Sequence, residues 1–264
     1  MSKVIKYKLN YLISNRLISV SIIILFLVLN FEAVINSGVL FSGGTSFNAD
    51  IKYQLLLNNY IIVSSFYGLL LSVYLGASIV GPDIQTGNMY ILLSSYPSRI
   101  KYFLGTYLAV VSFATVLQTL LLFNIMTLFV VYQVSFVWSD LLICFTQNYL
   151  NTVVVLSVTG LASIYIKGHG ASVVGLLGYG FFNVYTYNEL PFVKTTFIFD
   201  ITKYKDILCN LFPITHILPP SYSYPEVIDY YRIQPILPNI YCYQVLYILF
   251  VLWLSCICFQ HKEL

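Results

Sequence analysis

The side chains best placed to handle a substrate in this 264-residue chain are uncharged amides inside apolar runs. Gln147, Asn148, Asn151 and Thr152 fall within one such run, and the pairs 147/151 and 148/152 are each four apart. That spacing stacks them on one side of a helix. Gln118 and Asn124 punctuate the preceding run. Amides in these settings either hydrogen-bond neighbouring helices or line a polar path through an apolar medium, and the spacing leaves both readings open. Catalytic chemistry has no foothold. The sequence contains no Gly-x-Ser-x-Gly, no His-Glu-x-x-His and no metal-ligand grouping, so catalytic and metal-binding residues are none. It also lacks a Gly-x-x-x-x-Gly-Lys-Ser/Thr phosphate loop, so any ATP that drives this protein binds to another polypeptide.

The elements that must hold those amides are set by composition. The chain is 59% hydrophobic and 9% charged, against about 25% charged for ordinary soluble domains. This predicts an all-α integral membrane protein forming a single transmembrane domain over residues 1–264. The net charge of +3, spread along the chain, gives no reason to expect a nucleic-acid partner. Six apolar spans are expected, at Leu17–Ile35, Tyr60–Val80, Leu104–Tyr132, Leu141–Ile166, Ala171–Val184 and Ile240–Phe259. Residues 1–16 read as an interfacial helix with Ile5, Leu9, Leu12 and Ile13 on one face and Lys3, Lys6 and Asn10 away from it. No small-x-small cleavage site follows the first apolar run, which favours a retained span over a removed signal.

Orientation follows from Lys and Arg near the span ends. With the N-terminus inside, Lys3, Lys6, Lys8, Arg16, Arg99, Lys101, Lys167 and Lys262 are cytoplasmic. Lys52, Lys194, Lys203, Lys205 and Arg232 are external, four of them in one long loop that weighs little. The expectation is a multi-pass protein of the plasma membrane, bacterial, with both termini cytoplasmic. Segment 187–239 is then external, and its seven prolines exclude a long helix. It is either a cap over the outer mouth or a gate that meets the substrate. Cys209 and Cys242 fall outside with it and are candidates for a disulfide. Ser72 and Gly76, and Ala171 and Gly175, have the small-residue spacing that lets helices approach closely, within one subunit or between two. Ionisable groups inside the spans are nearly absent, which leaves an ion-coupled mechanism without machinery.

One connection stands apart from the rest. From Asp83 to Gly105 the chain runs Asp-Ile-Gln-Thr-Gly-Asn-Met-Tyr-Ile-Leu-Leu-Ser-Ser-Tyr-Pro-Ser-Arg-Ile-Lys-Tyr-Phe-Leu-Gly. An acidic start, a glycine, a short amphipathic turn with Met89, Leu92 and Leu93 on one face, a Pro-Ser stop and a basic pair describe a helix lying along the membrane surface.

The segment resembles the cytoplasmic loop of type-2 ABC exporter permeases, particularly the short six-span kind whose ATPase is a separate subunit. Asp83 takes that family's acidic position, Gly87 its glycine, Ile91–Ser94 its aliphatic run, Pro97 and Arg99 its stop, and Leu104 with Gly105 its closing turn. Asn88 and Thr106 depart from the usual Thr and Lys. The resemblance implies that residues 83–103 form a coupling helix docking on an ATP-binding subunit. Asp83, Gly87, Met89, Leu92, Leu93, Pro97 and Arg99 would form the docking element. The assembly would pair two permease subunits, as a homodimer or with a paralogue, with two ATPase subunits. ATP and Mg would be bound by the ATPase and no cofactor by this chain. The function expected is export, and the lean polar interior of the spans points to an amphipathic or hydrophobic substrate such as a peptide, antibiotic or lipid-like compound, with Gln118, Asn124, Gln147, Asn148 and Asn151 as candidates for lining the path. Polysaccharide export, or force transmission to an extracellular assembly, is the alternative.

Overall fold

The computed structural model describes residues 2–42, 49–87, 98–166, 170–177, 213 and 240–262. Every element among them is a helix: α1 (Ser2–Ser14), α2 (Arg16–Ser42), α3 (Ala49–Ala77), α4 (Gly81–Gln85), α5 (Arg99–Val131), α6 (Trp138–Tyr165), α7 (residues 170–177) and α8 (Ile240–His261). Four stretches are long and apolar enough to cross a membrane: Lys52–Gln85, Arg99–Val131, Trp138–Tyr165 and Tyr241–His261. The α1–α2 pair makes a fifth if taken as one bent span. The expected fifth span at Ala171–Val184 is helical over residues 170–177, and the rest of it lies outside the described residues.

The distribution of side chains is that of a bundle in a bilayer. Leu17, Val20, Ile23, Leu27 and Phe31 of α2 and Leu246, Leu249, Phe250 and Trp253 of α8 face outward. Gln118, Gln147, Asn148, Asn151 and Gln244 are buried. An apolar exterior around a polar interior is unfavourable in water and natural where the solvent is hydrocarbon.

Helices α3 and α6 form the central pair and run parallel, as ascending contacts at Tyr53–Asp140, Ser65–Asn148 and Gly76–Leu156 show. A Cβ on Gly76 would sit 2.8 Å from the Leu156 carbonyl oxygen and from Thr159 Cβ. A Cβ on Gly175 of α7 would collide with Thr159 Oγ1 and approach Val73. The small-residue spacings at Ser72/Gly76 and Ala171/Gly175 thus place Gly76 and Gly175 in close packing within one chain.

Helix ends follow local chemistry. Asn15 breaks α1 from α2: its Oδ1 accepts from Leu17 N at 3.0 Å and its carbonyl from Ser19 N, an N-cap that starts α2 at a 64° bend. At the end of α5, Val134 N donates to Phe129 O and Gln133 N to Val130 O. This is a Schellman closure in which Gln133, at φ 53°, holds the left-handed position usually given to glycine.

Two boundaries differ from expectation. Hydropathy starts the second span at Tyr60, yet α3 begins at Ala49. Polar residues lower the hydropathy there, but packing satisfies them: Asn59 Nδ2 donates to Leu29 O, and Tyr53 OH to buried Asp140. The coupling segment is expected to extend to 103, but Arg99 already opens α5, so residues 99–103 belong to the long helix.

Candidate functional site

Residues 88–97 lie outside the described residues, and with them Met89, Leu92, Leu93 and Pro97. What the structure describes is how both ends of that segment are held. On the entering side, Gly81-Pro82 ends the line of α3 and starts the short α4, with proline in the first turn, where its missing N–H costs nothing. Asp83 follows in the same turn and points inward, 5% exposed. Its Oδ2 accepts from Lys8 Nζ at 3.2 Å and from Tyr102 OH at 2.7 Å. Lys8 is wholly buried, with its ammonium also 4.9 Å from the centre of the Tyr11 ring. Burial pulls the Lys8 ammonium below the ordinary lysine range, and the Asp83 carboxylate opposes that pull.

Gly87 then turns the chain away. Its φ is +69°, and a Cβ there would meet nothing within 4 Å. Of the two reasons for a glycine, a tight turn or a close approach, the turn applies. On the leaving side Arg99 Nη1 donates to Lys262 O at 2.7 Å and Gln260 O at 3.4 Å, placing a cation on the terminal carbonyls of α8. Asp83 and Arg99 therefore tie the two ends of the segment to α1, α5 and α8, all at one end of the bundle. The charge count groups residues 1–16, the 83–103 loop and the C-terminus on one side of the membrane, and these contacts bring the three together.

The partner of Asp83 is not visible in the sequence, where Lys8 is only one of eight cations expected on the cytoplasmic side. The expected face of α1 is also shifted. Its buried stripe is Val4, Lys8 and Leu12, whereas Ile13 of the expected apolar face is 64% exposed. α1 docks on the bundle by one sector and leaves the neighbouring apolar sector open.

A second polar region lies in the bundle interior. Asn148 of α6 donates to Ser64 Oγ and accepts from Ser65 Oγ of α3. Gln118 Nε2 of α5 donates to Thr152 Oγ1 at 3.0 Å, and its amide lies against Gly68 of α3. Gln147 Nε2 donates to Asn151 Oδ1 within α6, and Gln244 Nε2 of α8 donates to the same oxygen at 2.9 Å. Four of the five expected path residues are thus joined in contacts linking α3, α5, α6 and α8. Asn124 joins none of these bonds, and its Oδ1 is buried without a hydrogen-bond partner.

Gln244 is absent from the expected path residues, although a lone glutamine in an apolar helix is a visible signal. Its Nε2 also donates to the carbonyl of buried Pro213 at 2.6 Å. Pro213 is the one described residue of segment 187–239, so at this point that segment reaches the bundle interior. Cys209, the expected partner of Cys242, lies outside the described residues. Chemically, the arrangement can position, hydrogen-bond and transmit. Comparison of the chain with protein-family models finds no family that matches it, and no curated protein matches it.

Proposed function

We propose that this protein is the transmembrane subunit of an ATP-driven exporter of the type-2 ABC kind, moving an amphipathic or hydrophobic substrate across the plasma membrane. The observation that supports this reading most is the anchoring of both ends of residues 88–97: Asp83 on Lys8 and Tyr102, and Arg99 on the end of α8. A segment tied at both ends to three helices passes a push on its centre to the bundle, whereas a slack loop would absorb it.

In this reading residues 83–103 face the cytoplasm and dock on a separate ATPase subunit that binds ATP and Mg. Two copies of this chain, or this chain and a paralogue, enclose the path. Six spans with both termini cytoplasmic complete the layout. The interior amides serve as exchangeable hydrogen-bonding groups that let a polar part of the substrate pass without a charge in the bilayer. Met89, Leu92 and Leu93 supply the apolar face of the docking helix.

The test is co-expression with the cognate ATPase, followed by co-purification and transport in the same membranes. Leu92→Asp is expected to leave the chain inserted, as judged by protease protection, while docking weakens by about one to two orders of magnitude, the loss of one buried leucine anchor. Full complex formation and full transport by this variant would remove the docking role. ATP hydrolysis by the isolated chain would remove the need for a partner.

A further inference from the structure

We propose that α1 and the first residue of α2 form a binding surface for anionic phospholipid headgroups, with Lys3, Lys6 and Arg16 as the contacting cations. The inference needs only that the bundle sits in a bilayer. It stands whether or not the chain belongs to an exporter.

Lys3, Lys6 and Arg16 are all exposed. No Asp or Glu occurs before Glu32, so none of the three has a counter-charge nearby in sequence. Lys8, the remaining cation of α1, is turned inward and neutralised by Asp83, which removes it from the surface. Around the α1 axis, at about 100° per residue, the docked stripe Val4–Lys8–Leu12 is followed by the apolar sector Ile5–Leu9–Ile13, and then by Lys6 and Lys3. Exposed Ile13 and Leu17 extend this open apolar sector through the elbow to Arg16. A helix docked on one side, apolar on the next and cationic beyond has the order needed to lie at the headgroup boundary. The apolar sector meets acyl chains while the lysine stems reach the phosphates. Neutral headgroups would leave three cations uncompensated, whereas anionic ones attract each of them.

The experiment uses the full chain in nanodiscs of phosphatidylcholine alone or mixed with phosphatidylglycerol, reading amide hydrogen exchange over residues 2–16. Exchange is expected to slow by about tenfold or more in the anionic discs. The slowing should vanish in Lys3→Gln/Lys6→Gln/Arg16→Gln, survive in Lys3→Arg/Lys6→Arg, and survive in Lys101→Gln, which removes an exposed cation of α5. Inorganic phosphate added to phosphatidylcholine discs should not reproduce it. Equal exchange in both discs overturns the proposal, as does a slowing that persists in the triple variant or is reproduced by phosphate. If the triple variant keeps lipid selectivity but loses a protein partner, the surface is a protein-docking face instead.

Discussion

The node around Asp83 and the amide region around Asn148 and Asn151 both bury polar groups among helices, but with opposite chemistry. At the bundle end, a carboxylate and an ammonium meet with a tyrosine hydroxyl as third partner. In the interior the same task falls to neutral amides and hydroxyls on α3, α5, α6 and α8. Burying two charges costs several kcal/mol per ion before pairing offsets it, so an ion pair belongs where its geometry can be fixed from several sides. Neutral amides cost less and exchange partners more freely. Charge fixes the segment that would meet a partner, and neutral polarity furnishes the region that something could traverse.

The sharpest way to break this contrast is to remove one half of the ion pair. Lys8→Met leaves the Asp83 carboxylate buried without its cation and should cost about 3–5 kcal/mol. Adding Asp83→Asn should recover much of that loss. A double-mutant cycle by unfolding in nanodiscs measures the coupling. A single-variant cost below about 1 kcal/mol, the range of exposed pairs, would mean that the node behaves as a surface contact.

Next in size is Gly76→Val, which tests whether shape rather than polarity holds α3 against α6. Its Cβ meets a carbonyl oxygen at 2.8 Å, and backbone cannot yield as a flexible side chain would. A destabilisation of about 1–3 kcal/mol is expected in the same assay. Gly87→Ala makes a useful contrast, because only its positive φ resists, at about 1 kcal/mol.

For the amide region the comparison predicts a small effect. Asn148→Ala removes its bonds to Ser64 and Ser65 and should cost about 0.6 kcal/mol for each of these hydrogen bonds. A cost as large as that of Lys8→Met would make the amides a rigid clamp, and their reading as path lining would fail. The smallest change has the opposite sign. Gln133→Gly relieves a non-glycine left-handed residue and should raise stability by about 0.5–1 kcal/mol without altering α5 or α6.

Much of the architecture was legible from one dimension. Apolar runs report helices that cross hydrocarbon, because an unpaired backbone amide is intolerable there and the helix satisfies its own. The interior amides were visible for the same reason, as costly exceptions within apolar runs, and their spacing on α6 placed them on one side. The elbow at Asn15 and the turn at Gly87 are local events written in local residues.

What one dimension could not deliver was pairing. Lys8 and Asp83 are 75 residues apart, and nothing along the chain distinguishes Lys8 from the other cations expected on the same side. Gln244 meets Asn151 and Pro213 only because α8 packs on α6. The early start of α3 at Ala49 was hidden because hydropathy treats Asn59 and Lys52 as if they met lipid alone. Composition and period act through the solvent each residue meets on average, so the sequence by itself determined a helical membrane bundle and its polar exceptions. Which exceptions join, and which cation is held inside the fold rather than left for the membrane surface, depends on how helices distant in sequence approach one another, and that only the tertiary structure decided.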